Sequence, residues 1–349
     1  MATEPEKLFV YGTFLQGEPR NHHLEDLELI QAFEVPGKLY DTQRGYPAAL
    51  FDGDPNRTVT GELYTICREK NEKFEKLDEV EGTQLGLYTR KILKYKGYKF
   101  HLYEAGELLR HSLKKESKIK SGNWRRYGST ALKDPVEFAL NFENHQSRRY
   151  REYSPPDSRG LIFLRGEIPI LITAPHATRH VRMGIFKFQE EYTGALSIIL
   201  HVLTGSHALY THWASNTDPN YYDDAPFKRK LQKVVKKFGI KFVLDLHGTR
   251  RDWKEDIYPG IGDDREFLLG NSSYLHELEK SAKFNKLTLG GLNVFPASRQ
   301  MTVTKFVARN LGIPAMQIEI NERLRHPESN PSAFNQLIEF LHQFVLKIA

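Results

Sequence analysis

Leu8-Phe9-Val10-Tyr11-Gly12-Thr13-Phe14 opens the patterned part of this 349-residue chain. Four apolar residues stopped by a glycine predict a buried strand that runs into a tight loop. Without a side chain, Gly12 lets such a loop bring backbone N–H groups close to a carboxylate or an oxyanion. Outward from it, Val59–Ile66 predicts a strand interrupted by Gly61, and Lys91–Tyr103 alternates and turns at Lys96-Gly97 as a hairpin does. A helix is expected over Glu69–Glu79. Short strands with this punctuation point to an α+β domain built on a small β-barrel.

The pattern changes after Ala131. Asp134-Pro135 can start a helix running to about Gln146. Arg148-Arg149-Tyr150-Arg151 follows, then the polar, proline-rich Ser154-Pro155-Pro156-Asp157-Ser158-Arg159-Gly160, which reads as a boundary. The expected organisation is a first domain over 1–128, a linker with a helix over 129–158 and a second domain over 159–349. In the second domain strands are predicted at Ile168–Thr173, His207–His212, Lys241–Leu246 and Ala315–Ile320. Helices are predicted at Thr193–Leu203, Ala225–Phe238, Ser272–Phe284, Thr302–Asn310 and Ser332–Ile348. Alternation of this kind argues for an α/β domain with a mostly parallel sheet flanked by helices.

Composition narrows the function classes. No apolar run approaches the ~20 residues that span a bilayer, and Met1–Lys7 lacks the basic and apolar regions of a signal peptide. Cys67 is the only cysteine. An internal disulfide and a cysteine-rich metal site are therefore excluded, and a cytoplasmic, reducing setting is expected. Part of the net charge of +6 sits in Lys114, Lys115, Lys118, Lys120, Arg125 and Arg126. A basic run can contact nucleic acid, but no RNA- or DNA-binding motif surrounds it, so a solvated linker or hairpin is the expectation and a nucleic-acid partner is not. The chain lacks a nucleophile elbow, a Walker A loop and a dinucleotide-binding fingerprint, which disfavours serine hydrolase, NTPase and dehydrogenase chemistry. Nothing in the sequence determines the oligomeric state.

The first domain carries its motifs in a fixed order: Tyr11-Gly12-Thr13-Phe14, Gly17, Asn21, Gly37-Lys38-Leu39-Tyr40, Gly45-Tyr46-Pro47-Ala48-Ala49, Gly61-Glu62-Leu63-Tyr64, Leu77-Asp78-Glu79-Val80-Glu81-Gly82 and Tyr88-Thr89-Arg90. As a set, over about residues 6–127, they resemble the γ-glutamyl cyclotransferase family, including γ-glutamylamine cyclotransferases and AIG2-like proteins. Phe14 stands where that family usually has leucine. The resemblance implies that Glu81 is the catalytic carboxylate, with Tyr11, Gly12, Thr13 and Phe14 binding a small-molecule or oligomeric glutamyl substrate. The implied reaction releases an amine and leaves 5-oxoproline, without metal.

In the second domain three predicted strands end in residues suited to metal chemistry: Ala174-Pro175 runs into His176, Asp245-Leu246 into His247-Gly248, and Gln317-Ile318 into Glu319. Ligands collect at the carboxyl ends of strands in open α/β sheets. Two histidines there and a carboxylate from a neighbouring helix start make a set that leaves zinc an open position for water. With Ala174-Pro175-His176-Ala177-Thr178-Arg179-His180, Glu190-Glu191-Tyr192-Thr193-Gly194-Ala195-Leu196, Asp218-Pro219-Asn220-Tyr221 and Gln317-Ile318-Glu319-Ile320-Asn321, these words resemble the N-formylglutamate amidohydrolase family, related to zinc carboxypeptidases and poly-γ-glutamate hydrolases. The resemblance implies zinc held by His176, Glu190 and His247, with Glu319 as general base. Carboxypeptidases place the acidic ligand three residues after the histidine, whereas Glu190 follows His176 by 14. The resemblance implies Glu190 rather than Glu191, because a threonine three residues after the ligand recurs in these relatives and Thr193 supplies it. Arg323, just past Glu319, is the expected anchor for a substrate carboxylate, with Arg325 beside it in sequence. The chain thus reads as a bifunctional enzyme, one domain cyclising γ-glutamyl amides and the other hydrolysing an N-acyl-glutamate or γ-glutamyl amide bond. The alternatives are an active cyclotransferase with a non-catalytic binding module, or a basic nucleic-acid-associated protein.

Overall fold

The computed structural model describes residues 5–66, 70–154, 160–292 and 294–349. Cys67, Glu69 at the start of the expected first helix, Met1–Glu4 and the proline-rich stretch 155–159 lie outside the described residues. The rest divides into two compact units, one ending at Asp134, the other comprising Pro135–Ser154 and Gly160–Ala349. The expected linker helix, observed as Pro135–Ser147, is thus part of the second unit.

The first unit contains β1 (Glu6–Val10), β2 (Glu28–Pro36), β3 (Lys38–Asp41), β4 (Pro47–Leu50), β5 (Thr58–Ile66), β6 (Tyr88–Tyr95), β7 (Tyr98–Ala105) and β8 (Lys118–Ile119). The expected hairpin is β6–β7, and its turn uses left-handed backbone at Lys96 and Gly97. The small barrel is corrected. Among the described residues the strands form an open five-stranded sheet, β2-β5-β1-β7-β6, and a separate three-stranded sheet, β4-β3-β8. The chain leaves β2 at Pro36 and enters β3, in the other sheet, from Lys38, so the two sheets share consecutive strands without pairing edge to edge. The core collects Phe9, Phe33, Leu63, Phe100, Leu102 and Trp124. Gly61 is not a strand break. A Cβ there would lie 2.2 Å from the Val10 carbonyl oxygen, so glycine is what lets β5 close on β1.

Part of the basic run is not solvated. Arg125 is buried, with Nη2 donating to Glu62 Oε1 at 2.6 Å and Nη1 to the Gln16 carbonyl at 2.8 Å. Glu62 Oε2 also accepts from Gln16 N at 3.0 Å and the Tyr64 hydroxyl at 2.9 Å. One buried carboxylate thereby ties β5 to the segment that follows the Tyr11–Phe14 loop.

The second unit contains β9 (Leu161–Leu164), β10 (Ile170–Ala174), β11 (His180–Arg182), β12 (Ile185–Lys187), β13 (His207–Thr211), β14 (Phe242–Thr249), β15 (Ile257–Gly260) and β16 (Ala315–Asn321). The main sheet runs β15-β16-β14-β10-β13-β9. Its four inner strands are parallel, and both edge strands are antiparallel. The predicted helices are present, for example Thr193–Thr204 and Val303–Leu311. β10 and β13 are buried along their whole length, as strands covered on both faces must be. The helices Pro226–Phe238 and Val303–Leu311 pack with Leu171, Leu209, Val243 and Ala315. No helix among the described residues is long and apolar enough to cross a membrane.

Replacing Arg125 with alanine leaves the Glu62 carboxylate buried without its cation. We expect Arg125→Ala to destabilise the first unit by about 3–5 kcal/mol, read as a shift in urea-induced unfolding. A loss below about 1 kcal/mol contradicts the assignment of this pair as the anchor of the loop.

Candidate functional site

In the first unit the site forms where β1 ends. Gly12 adopts φ +72°, and a Cβ there would fall 2.5 Å from Pro47 Cγ, so the loop needs glycine for both its conformation and its close approach. Gly12–Phe14 is a single 3-10 turn. The amides of such a first turn have no acceptor within their own helix. Glu81 reaches the same place from the opposite direction. Its helix, Lys70–Val80, stops just before it, and Gly82 in left-handed backbone turns the chain away. Tyr11, Phe14, Leu77, Glu81 and Tyr103 line one pocket with Leu8, Phe9 and Val10.

The electrostatics of this pocket centre on Glu81. Burial pushes its carboxyl up to about 8, against the opposing effect of Arg20. The nearby hydroxyls are committed elsewhere: Tyr11 donates to the Tyr103 carbonyl at 2.8 Å, Tyr88 to the Pro47 carbonyl at 2.6 Å and Tyr103 to Asp78 Oδ1 at 2.7 Å. Asp78 also pairs with Arg90 at 3.0 Å, so it braces the wall. Arg20, Tyr88 and Tyr103 were not picked out by sequence reasoning; Tyr88 belonged to a quoted motif, but Arg20 carried no signal of its own.

In the second unit the carboxyl ends of β10 and β14 bring His176 and His247 together. The Nδ1 of His176 lies 3.0 Å from Glu190 Oε1, and that of His247 lies 2.9 Å from Glu190 Oε2. One donor atom from each of the three residues falls within a cluster 4.8 Å across. Two imidazole nitrogens and a carboxylate suit zinc, so the residues present fit that ion. The opposite ring edges are also held: His176 Nε2 lies 3.0 Å from Asp218 Oδ1, and His247 Nε2 lies 3.2 Å from Asp245 Oδ2. Carboxylates behind metal-binding histidines orient the rings and select the tautomer. Asp218 and Asp245 lie within the sequence motifs but carry no role that the sequence assigns; histidine two residues after aspartate in β14 is the available signal for Asp245.

Charge follows this packing. Burial opposes ionisation of His176, but Glu190 and Asp218 outweigh it and lift the imidazole to about 9. Burial likewise pushes Glu190 up, yet the two imidazoles hold it well below the usual carboxylate range. Glu191 makes neither of these histidine contacts and instead approaches His326 Nε2 at 3.6 Å. The 14-residue gap before Glu190 contains the β11–β12 hairpin. Parallel pairing sets Glu319 directly opposite His247, and burial raises Glu319 to about 7. Arg323 is committed to the protein, donating to Asp256 Oδ1 at 2.8 and 3.0 Å and to the Trp253 and Lys254 carbonyls. Arg325 is the arginine packed at the site: it is buried, donates to the Glu191 carbonyl, and lies where a Cβ on Gly248 would meet its guanidinium carbon at 2.5 Å.

Comparison with known proteins bears on the first unit. Residues 8–126 match the family "Gamma-glutamyl cyclotransferase, AIG2-like". A gamma-L-glutamyl-butirosin B gamma-glutamyl cyclotransferase of Niallia circulans is 34% identical over 76 residues, which cover 22% of this chain and 47% of that protein. The chain therefore spans about half the length of the curated relative it matches. Among solved structures, an uncharacterized protein from Pyrococcus horikoshii is 24% identical and covers 34% of this chain and 89% of its own, with a TM-score of 0.28. A bacteriophage poly-gamma-glutamate hydrolase is 14% identical and covers 54% of this chain and 87% of its own, with a TM-score of 0.37. Structural likenesses at these scores decide nothing about fold or function.

The position of Glu81 has a consequence for stability. A carboxyl raised from 4.5 to about 8 by folding favours the folded state below pH 4.5, and that contribution is lost as pH rises through about 8. Glu18, raised by burial to about 7, acts in the same direction over the lower part of that range. We expect unfolding of the first unit to become progressively easier from about pH 4.5 to about pH 8, and Glu81→Gln to flatten the upper part of that limb, between about pH 7 and about pH 8, while leaving the part due to Glu18 at lower pH. Equal pH dependence in both proteins, measured by chemical denaturation, contradicts the burial of Glu81.

Proposed function

We propose that the first unit cyclises a γ-glutamyl amide or amine to 5-oxoproline and that the second unit is a zinc-dependent amidohydrolase acting on an N-acyl-glutamate or γ-glutamyl amide bond. For the first unit the supporting observation is Glu81, buried with a raised pKa in a pocket shared with Tyr11 and Phe14, within a segment that matches the AIG2-like family.

The chemistry asks little of the protein. The substrate's α-amine attacks its own γ-carbonyl, forming the ring C–N bond and expelling the amine. Nucleophile and electrophile are tethered, so proximity supplies much of the acceleration. Glu81 takes the proton from the α-amine and returns it to the leaving amine, a transfer favoured by a carboxyl whose pKa lies near working pH. The backbone of the Tyr11–Phe14 loop holds the substrate and its developing oxyanion.

In the second unit His176, Glu190 and His247 would hold zinc, which when bound supplies Lewis acidity and acidifies water. Asp218 and Asp245 fix the two rings from behind. Glu319 takes a proton from the attacking water and returns it to the departing amine. The substrates we infer are small or oligomeric glutamyl compounds, and the single Cys67 supports a cytoplasmic setting.

Two experiments test these readings on the full-length protein. The first supplies a γ-glutamyl alkylamine without metal. We expect 5-oxoproline from the wild type and a loss of at least about 100-fold in Glu81→Gln; undiminished turnover in that variant removes Glu81 from the mechanism. The second titrates zinc by calorimetry in buffers of different ionisation enthalpy. With His176 lifted to about 9, we expect one zinc per chain, proton release at pH 7 and tighter binding as pH rises toward 9. His247→Ala should lose the metal, whereas Glu319→Gln should keep it and lose hydrolysis. A chain that takes up no zinc but still folds and hydrolyses an amide overturns the second half of the proposal.

A further inference from the structure

Arg20 sits beside Glu81 without being used by it. Its Nη1 lies 4.0 Å from Glu81 Oε2, too far for a hydrogen bond. Among the described residues its guanidinium makes no hydrogen bond, and the Glu81 carboxylate accepts none. The guanidinium carbon lies 5.5 Å from the centre of the Tyr46 ring, and the side chain is 34% exposed. The backbone is held while the head remains available: Arg20 N donates to the Thr13 carbonyl at 2.9 Å, joining Arg20 to the loop that lines the pocket. Three other cations of this unit are committed. Arg90 pairs with Asp78, Arg125 with Glu62 and Lys73 with Asp26.

We propose that Arg20 receives the α-carboxylate of the substrate and so selects γ-glutamyl compounds whose α-carboxylate is free. The inference rests on the cyclotransferase reading of this site. The α-carbon of a γ-glutamyl compound carries an amine and a carboxylate as immediate neighbours. A carboxylate and a guanidinium 4.0 Å apart, each without a hydrogen bond to the other, offer a complementary pair of partners: the amine faces Glu81 and the α-carboxylate faces Arg20. A planar guanidinium binds a carboxylate through two parallel hydrogen bonds, and the Tyr46 face supports it from one side. Holding the α-carboxylate also fixes which way the amine points, and ring closure depends on that orientation. No bond is made or broken by Arg20. It is a substrate-binding residue, and Glu81 remains the proton carrier.

The test uses the full-length chain and a pair of substrates, γ-glutamyl-butylamine and the same compound with its α-carboxylate converted to carboxamide. Release of 5-oxoproline or its carboxamide is measured for wild type, Arg20→Gln and Arg20→Lys on the pH plateau above the titration of Glu81, because Arg20 also lowers that carboxyl. The wild type should prefer the free carboxylate by about 100-fold in kcat/KM. In Arg20→Gln the preference should fall to within a factor of about three, and Arg20→Lys should recover part of it as a point charge without the fork. Calorimetric binding of 5-oxoproline and its carboxamide to Glu81→Gln, with and without Arg20→Gln, reads the same preference without turnover. An unchanged preference in Arg20→Gln, or an equal fall on both substrates, overturns the inference. If no protein forms 5-oxoproline yet binding stays carboxylate-selective and dependent on Arg20, the anion site stands and the cyclotransferase reading falls. If neither turnover nor binding occurs, both fall.

Discussion

The parallel register of β10, β14 and β16 is the constraint on which the second unit depends. Val243 pairs with Ala315, and six steps later Thr249 pairs with Asn321, so His247 must stand opposite Glu319. β10 lies on the other side of β14 with Thr173 opposite Asp245, so His176, three residues beyond, emerges at the same carboxyl edge. Slipping one strand by a residue would turn every side chain on it to the other face, and the cluster would disperse. The register is protected by burial on both faces of the inner strands and by buried polar ties such as Thr173 Oγ1 to Asp245 Oδ1 at 2.5 Å. Asp245 therefore serves two purposes. It is a strand residue bonded across the sheet, and it holds the His247 ring that its own strand delivers.

Three carboxylates at these sites behave differently because their neighbours differ. Glu81 has burial and one distant arginine, and its pKa rises. Glu190 has two imidazoles within hydrogen-bond distance, and its pKa falls although burial opposes the fall. Glu319 sits opposite His247 but shares its surroundings with Glu190 and Asp245, and burial prevails. Separation of carboxyl pKa values by environment is how one residue type fills the roles of ligand and base. A glutamate held low is suited to face a cation, whereas a glutamate held near neutrality can give back a proton it has taken.

Much of the architecture was legible from local pattern. The apolar run Leu8–Tyr11, the Lys96-Gly97 turn, Asp134-Pro135 as a helix start and the long amphipathic helices of the second unit each carry their signal within a few residues. Elements that depend on partners were not legible. β9 and β15 are short antiparallel edges, and the β11–β12 hairpin sits inside what reads as a loop between His176 and Glu190. The barrel expectation failed for a related reason. Strand count is a local property, but closure depends on whether distant edges pair. Gly61 reads as an interruption in sequence because its meaning, the space needed by the Val10 carbonyl, lies in another strand.

The sequence by itself determined which residue types end which strands: His176, His247 and Glu319 after apolar runs, and Glu81 between a helix and Gly82. It also marked the ordered set of motifs in the first unit, since those words are contiguous. Tertiary structure alone decided which charged groups meet. It set Glu190 rather than Glu191 against His176 and His247, committed Arg323 to Asp256 and left Arg325 packed on Gly248. It buried Arg125 out of a basic run that reads as solvated, and it set Arg20 beside Glu81. The reason is range. Helix and strand propensities act over a few residues, while desolvation and ion pairing act between groups that only the completed fold brings within a few ångströms.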